Sequence, residues 1–499
     1  MNKAFALLRG GMAAMLLIGS ACAAAARAEP VCRPSSLGSP CASGGIATQA
    51  GLEPGLNLGA GNPIHIVTGN KYQHERDLLP FLHAPLLEIS RHYNALDRRP
   101  SVLGQGWSLA YDTRLHVFAD RWQIVQADGS RIVFSGAGKN QRSNRHGTLQ
   151  RNAAQWLWTW PDGRQLVFDR HGRLARLAIG PPSASAVTLH RHDEPGPLLG
   201  AIRAIVDDND HTLAFHYSLH QQRAYLDRIA TPAGTFRYHY EPADPASPGP
   251  LRLLAVTRPD TMQRRYLYEA QRQGGNPFHL TGIEIAPAEG KPALRLNTWA
   301  YDPQGRAVLS IQGAPDSGAN EIHIDYVRTP DGERSGLTIV RDAHNRETRF
   351  RTSLQGGRHV LLEAGGAGCP GCAAPGSVGR YDIHGRLIHI NGMAIRRHAS
   401  GRIRQLAPVA PGWPGLALDY NQEGLRTSWR SMPTGTERTI YDAQRRPLRR
   451  LFGNGGHWDY SYDAAGSLAS VVAANARDTQ KMPPRCAATQ LAAPQGDAF

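Results

Sequence analysis

Tyr381-Asp382-Ile383-His384-Gly385-Arg386-Leu387 reads as one β-hairpin. Tyr381 closes a strand. The Asp382 side chain can accept from backbone amides two residues on and start a tight turn. Gly385 falls where such turns need positive φ, which glycine adopts without a Cβ penalty. Arg386 and Leu387 open the returning strand on opposite faces. The unit recurs at Phe168-Asp169 with Gly172-Arg173, at Tyr301-Asp302 with Gly305-Arg306, and at Tyr462-Asp463 with Gly466-Ser467. Weaker copies stand at Tyr420-Asn421 with Gly424 and at Tyr441-Asp442 with Arg446. Tyr420, Tyr441 and Tyr462 are separated by equal steps of about twenty residues, the spacing of a repeat architecture.

The chain is 499 residues long with 53 Gly and 35 Pro. That turn density favours many short strands over long helices. Period-2 runs such as Phe236-Arg237-Tyr238-His239-Tyr240 and Glu321-Ile322-His323-Ile324-Asp325-Tyr326 agree, and no stretch sustains a 3.6-residue period, so little helix is expected.

The hairpin unit resembles the YD repeat of the Rhs and teneurin-like families. Residues 61–135 resemble the N-terminal cap that precedes those repeats in Rhs proteins. Four motifs carry this: the opening Gly61-Asn62-Pro63 with Thr68-Gly69-Asn70-Lys71-Tyr72, the strand Ser90-Arg91-His92-Tyr93-Asn94, the run Leu103-Gly104-Gln105-Gly106-Trp107-Ser108-Leu109-Ala110-Tyr111-Asp112, and Asp128-Gly129-Ser130. The resemblance covers about 61–473, more loosely over 200–300. It implies an all-β fold, a repetitive hairpin sheet curling into a partial shell. The expected organisation is a signal peptide at 1–28, a flexible lead-in at 29–60, the cap at 61–135, the shell at 136–473 and a disordered tail at 474–499.

The first segment carries Lys3 and Arg9, an apolar stretch around Met12 to Ile18, and Ala26-Arg27-Ala28 as a small-x-small cleavage site. An exported, secreted or periplasmic chain follows, with no later run long enough to span a bilayer as a helix. Cleavage would lower the formal charge from +15 to +12, because Lys3, Arg9 and Arg27 leave with the segment. The basic residues are almost all Arg. Those after turn glycines, Arg173, Arg306 and Arg386, are read as an outward, solvated face. A lesser reading has them bind anionic surface polymers. No basic helix or clustered basic run speaks for nucleic acid.

In an exporting compartment Cys32 and Cys41 can bridge a short Ser/Gly/Pro loop, and Cys369-Pro370-Gly371-Cys372 can close on itself. The CPGC motif reads as a structural clip or bare thiols. A zinc site lacks a second ligand pair, and a thioredoxin-like centre lacks a following helix, since Pro375-Gly376 stands there. The run Gly366-x-Gly368-x-x-Gly371 likewise has no helix start to hold a phosphate. His65, His74, His83 and His92 fall nine apart, a spacing that fits neither a strand face nor a helix face and reads as coincidence.

In larger Rhs proteins the repeats form a cage around a C-terminal toxin, with an Asp-Pro-x-Gly-Leu motif at its self-cleavage site. Here Asp302-Pro303-Gln304-Gly305-Arg306 lacks the Leu and belongs to a repeat turn. No toxin-sized stretch follows residue 473, so the expectation is a non-enzymatic scaffold without cofactors. Its partner is expected to be a separately encoded toxin or shell-completing chain. The alternative is a surface polysaccharide bound on aromatic β-surface.

Overall fold

A computed structural model describes residues 37–40, 48 and 56–482, other than 81–83, 85, 137, 145, 161–162, 180–184, 243–248, 271–274, 288–291, 318, 328–334, 356–357, 384, 399–401, 410–414, 422–424, 432–434, 444–445, 464–467 and 475–478. Cys32, Cys41, His83, His384 and Gly466 therefore lie outside the described residues, as does the whole of 1–28. Helix among the described residues is confined to single 3-10 turns such as Ala110–Asp112 and Pro315–Ser317. The rest is antiparallel strand and turn.

From Gln141–Asn144 to Arg358–Gly366 each strand pairs antiparallel with the next, in one meander that closes into a barrel. The stretch 200–300, where the repeat signal is loose, continues this meander without a break, from Ile202–Asp207 to Leu294–Tyr301. A second, 11-stranded sheet runs from Gly379–Tyr381 to Thr479–Met482. The all-β, repetitive hairpin architecture expected from the sequence is observed. The repeats divide into a closed unit and an open one, joined through the loop between Gly366 and Gly379.

Residues 61–135, expected to form a cap and called so below, hold two three-stranded sheets, Tyr72–Leu78 with Ile89–Asn94 and Trp107–Leu109, then Arg114–Val117 with Arg121–Val125 and Arg131–Ser135. Every residue of Ile89–Asn94 is buried, so this strand has no solvent face. One core cluster contains Tyr93, Trp107 and Tyr111 from the cap and Trp158, Tyr266 and Trp299 from the barrel. Trp107 packs at a tilt against Tyr266 with ring centroids 4.7 Å apart, and Trp122 meets Trp156 edge-on at 4.8 Å. The cap is therefore the filling of the barrel and not a lid on it. Burying such rings contributes most of the hydrophobic stabilisation here, about 1.5–3 kcal/mol for each large side chain.

Two boundary expectations change. The lead-in ends before residue 60, because Leu56, Leu58 and Ala60 are buried and Gly59–Ala60 pairs with Ile64–His65. These are the apolar residues of an otherwise small, polar stretch. At the other end Leu468–Ala474 and Thr479–Met482 pair from Val471↔Met482 to Ala474↔Thr479, inside the stretch read as tail. A Thr-Gln-Lys-Met strand has too little apolar alternation to be read from sequence.

Candidate functional site

The repeat turn has one construction throughout. At Asp382 the backbone amide donates to Arg386 O at 2.9 Å, and the Gly385 amide donates to Asp382 O at 2.9 Å, with Gly385 at φ 70°. This is a three-residue hairpin loop closed by a left-handed glycine. The carboxylate completes it. Oδ1 accepts from the Arg386 amide at 2.9 Å and Oδ2 from Arg386 Nε at 2.6 Å. Asp169 holds Arg173 in the same way at 2.9 and 2.7 Å, and Asp302 holds Arg306 at 2.8 and 2.7 Å. Asp442 repeats it with Arg446 at 2.8 and 2.7 Å. At Asn421 the amide oxygen takes the Leu425 amide, at 2.8 Å.

Two turns of this kind escape the sequence pattern. Asp342 grips Arg346 with Asn345 at φ 59° in the glycine position, and Asp207 grips His211 with Asp210 at φ 64°. Asn and Asp tolerate the left-handed region better than other side chains do. Finding both would have meant widening the glycine position to Gly, Asn or Asp, dropping the preceding aromatic residue, since Arg341 and Val206 stand there, and accepting His211 in place of Arg.

The reading of the post-turn arginines as solvated outward charges is corrected. Arg173, Arg306 and Arg386 fold back onto the carboxylate of their own turn. At Asp169 burial alone would raise the carboxyl, but hydrogen bonds from the Arg173 amide and guanidinium outweigh it and hold the group below its ordinary range.

The tyrosine of each unit has its own partner. Tyr441 Oη donates to Arg426 O at 2.9 Å, Tyr462 Oη to Pro447 O at 2.9 Å, Tyr420 Oη to Ile403 O at 2.9 Å and Tyr326 Oη to Ala307 O at 2.7 Å. In each case the acceptor directly follows the last residue of the preceding turn. Tyr301 and Tyr381 reach Leu280 O and Leu361 O, at 2.7 and 2.8 Å. The strand register slips by one residue immediately before Tyr301, Tyr381, Tyr420, Tyr441 and Tyr462. A β-bulge of this sort re-aims one side chain. The slip lies in the pairing with the following strand, while the phenol reaches the preceding one; Tyr326 does so with no slip at its own position. Turn and phenol together staple each hairpin to the one before it.

The cap motifs converge on the seam with the barrel. Arg91, fully buried, makes two bonds to Asp77 at 2.7 Å and donates to Tyr266 Oη at 2.7 Å, while Tyr238 Oη donates to Asp77 at 3.0 Å. Burial opposes the guanidinium charge and Asp77 more than restores it. Glu75 pairs with Arg264 of the barrel. Lys71 donates to Asn62 O at 2.6 Å, to Tyr72 O, and to Gln73 Oε1 at 2.9 Å, with Nζ 4.0 Å from the Trp299 ring centre. Burial pulls its ammonium well below the usual lysine range. Asn94 Oδ1 accepts from Asn70 at 2.8 Å, and Asn94 Nδ2 donates to Asp128 O at 2.8 Å, which ties the cap signatures to one another.

His74 and His92 do face each other, as a cross-strand pair with rings stacked at 4.9 Å. Antiparallel register puts them there; the nine-residue spacing does not, since His65 lies elsewhere, 6.0 Å from His359. Burial holds His92 down to about 3, and burial with the neighbouring His92 holds His74 well below its ordinary value. Among the described residues no group of three His, Cys, Asp or Glu side chains is placed to hold a metal. No helix among them is long and apolar enough to cross a membrane. Cys369 and Cys372 are joined in a disulfide.

Residues 61–134 match a family model described as a domain of unknown function, DUF6531. No curated protein matches the chain. Among solved structures, the crystal structure of TcdB2-TccC3 without its hypervariable C-terminal region aligns at 10% identity over 86% of this chain and 27% of that one, with a TM-score of 0.40. The Photorhabdus luminescens Tc holotoxin pore with mutated TccC3 aligns at 8% identity over 83% and 26%, with a TM-score of 0.43. A porin-like protein from Bacteroides uniformis aligns at 11% identity over 60% and 91%, with a TM-score of 0.15. The chain thus spans about a quarter of the length of the Tc-toxin chains it resembles. Similarity of this degree carries no functional argument, and the reading below rests on the geometry.

Proposed function

We propose that this chain is an exported YD-repeat scaffold that docks with or encloses a separately encoded protein partner, in the setting of a bacterial toxin system, and performs no catalysis of its own. One observation carries the reading. The barrel spends its inner face on the cap, leaving Trp158 at 0% and Trp299 at 2% exposure, whereas the second sheet is built to the same stapled plan with its aromatic face only half covered. Cross-strand pairing puts Trp429, Glu437 and Phe452 on one face, and with them Thr439, Arg450 and Trp458. That face sets three aromatic rings around an ion pair, with the Glu437 carboxylate tied to Arg450 at 2.7 Å. A rigid sheet with such a face suits a protein surface. The carbohydrate reading gains nothing from the YD tyrosines, whose hydroxyls are spent on backbone carbonyls.

Affinity purification of the chain from its native secretome is expected to bring down a stoichiometric partner. Removing residues 441–473 should abolish that capture while the 61–135 region stays protected from proteolysis. Binding unchanged by the deletion would move the interface off the second sheet. Hydrolysis of a nucleic-acid, peptide or glycan substrate by the purified chain would overturn the scaffold reading itself.

A further inference from the structure

The Cys369–Cys372 loop lies where three parts of the molecule meet. It follows Arg358–Gly366, the last strand of the barrel, and precedes Gly379–Tyr381, the first strand of the second sheet. It also receives the chain as that enters the cap. Pro370 O accepts the Gly61 amide at 2.8 Å, and Gly371 O accepts Asn57 Nδ2 at 2.7 Å. The ring is further closed by the Cys372 amide, which donates to Cys369 O at 3.1 Å. Gly371 sits at φ 68°, and a Cβ there would come within 2.5 Å of Gly61 O, so the two backbones are in close apposition. On the cap side the neighbours Leu56, Leu58 and Ala60 are buried. On the outer side Pro370 and Gly371 are exposed, while Cys369 and Cys372 are half-buried against the core.

We propose that this disulfide is a redox latch on the cap's entry turn. While it is closed, the four-residue ring fixes two successive carbonyls in the positions that Gly61 and Asn57 require. A dithiol reductant opens it. Its thiolate attacks one Sγ and breaks the S–S bond, giving a mixed disulfide and one cysteine thiolate, which takes up a proton. The second thiol of the reductant then displaces the other cysteine sulfur, leaving two protein thiols and an oxidised reductant. Two electrons pass to the protein. Without the ring, Pro370 and Gly371 regain backbone freedom and the acceptor pair disperses. The segment 56–61 then opens as a unit, while the deeper cap strands keep their contacts with the barrel. The latch stands on this geometry alone, so its failure would leave the scaffold reading untouched.

Hydrogen exchange by mass spectrometry on the full chain tests it, with and without dithiothreitol, alongside the Cys369→Ser/Cys372→Ser variant. In the oxidised protein the peptide covering 56–66 should be protected. Reduction should speed its exchange about tenfold or more, the factor associated with releasing so small a ring. The peptide covering 89–94 should not change. The double-serine variant should exchange fast at 56–66 and ignore dithiothreitol, which separates this pair from every other cysteine. Should that variant not fold, titrating the native chain with reductant while alkylating Cys369 and Cys372 decides the matter, since exchange at 56–66 must follow their release. Exchange at 56–66 that does not respond to reduction would overturn the proposal. So would equal acceleration at 89–94, or alkylation of both cysteines before any reductant is added.

Discussion

The Tyr441 hydroxyl donates to the carbonyl of Arg426 at 2.9 Å, one residue beyond the turn that precedes it. The same bond, from the equivalent tyrosine to the equivalent carbonyl, links Tyr462 to Pro447 and Tyr420 to Ile403.

Replacing Tyr441 with Phe removes this bond and little else. A net loss of about 0.5–1.5 kcal/mol is expected. Tyr301→Phe should cost more, about 1–3 kcal/mol, because Tyr301 is enclosed and Leu280 O would be left without its partner. Urea denaturation of the two variants checks the order; no loss in either would mean that the ring, and not its hydroxyl, forms the staple.

The turn glycines carry a backbone requirement that nearby positions do not. Gly385→Val places a β-branched side chain at φ 70° and is expected to cost at least about 1–3 kcal/mol. Ile383 in the same turn is 85% exposed, so Ile383→Ala should change stability by less than about 0.5 kcal/mol. Thermal melts of the pair should differ clearly, and matching melts would overturn the turn construction.

Breaking the seam from one side should be far worse than exchanging both partners. Asp77→Ala leaves the Arg91 guanidinium buried without its carboxylate, at about 3–5 kcal/mol. The double change Arg91→Met with Asp77→Leu removes both charges and should recover much of that loss. A double-mutant cycle read by denaturation gives the coupling.

Acid should loosen the cap well before the repeat carboxylates protonate. His74 and His92 are harder to protonate folded than unfolded, so the unfolded chain binds more protons below about pH 6.5. Their contribution is intact above that value and is lost as pH falls toward 3, by about 1.4 kcal/mol per pH unit for each ring. Held-down carboxyls such as Asp169, Asp207 and Asp342 have the same sign but begin only near the ordinary carboxylate range. His92→Gln should therefore flatten the stability curve between about pH 6.5 and 4.5. An unaltered slope would mean that the ring is not buried in neutral form.

Much of this was readable in advance because the repeat turn is a local object. Asp382, Gly385 and Arg386 satisfy one another within five residues, so spacing alone exposes them. The Arg386 side chain was misread because strand alternation says which face a residue starts from, not that a long guanidinium can turn back to a carboxylate four residues away. The phenol partners were invisible for a different reason. Tyr441 and Arg426 lie in neighbouring strands 15 residues apart in sequence, and no local pattern pairs a phenol with a particular backbone carbonyl. The seam was half legible. Lys71, Arg91 and Asn94 stood out as motif members, but Arg264, Tyr266 and Tyr238 belong to no motif and declare themselves only through contact with the cap.

The cap's position inside the barrel also sets an order of events. Thr338 donates its hydroxyl to Ile66 O across 272 residues of sequence, and Tyr93 meets Leu280 across 187. A chain made from its N-terminus presents the cap first, and the wall that covers it begins at Gln141 but is complete only with Arg358–Gly366. Until then Trp107, Tyr93 and the Arg91 side chain have water for neighbours. Such long-range closure is slow, and the waiting intermediate is exposed to aggregation. The cap strands must be ordered enough to act as a mandrel, with each new hairpin laid against them and locked by its tyrosine to the one before. Assembly thus proceeds by winding in sequence order, and a fault in an early turn displaces everything laid down after it.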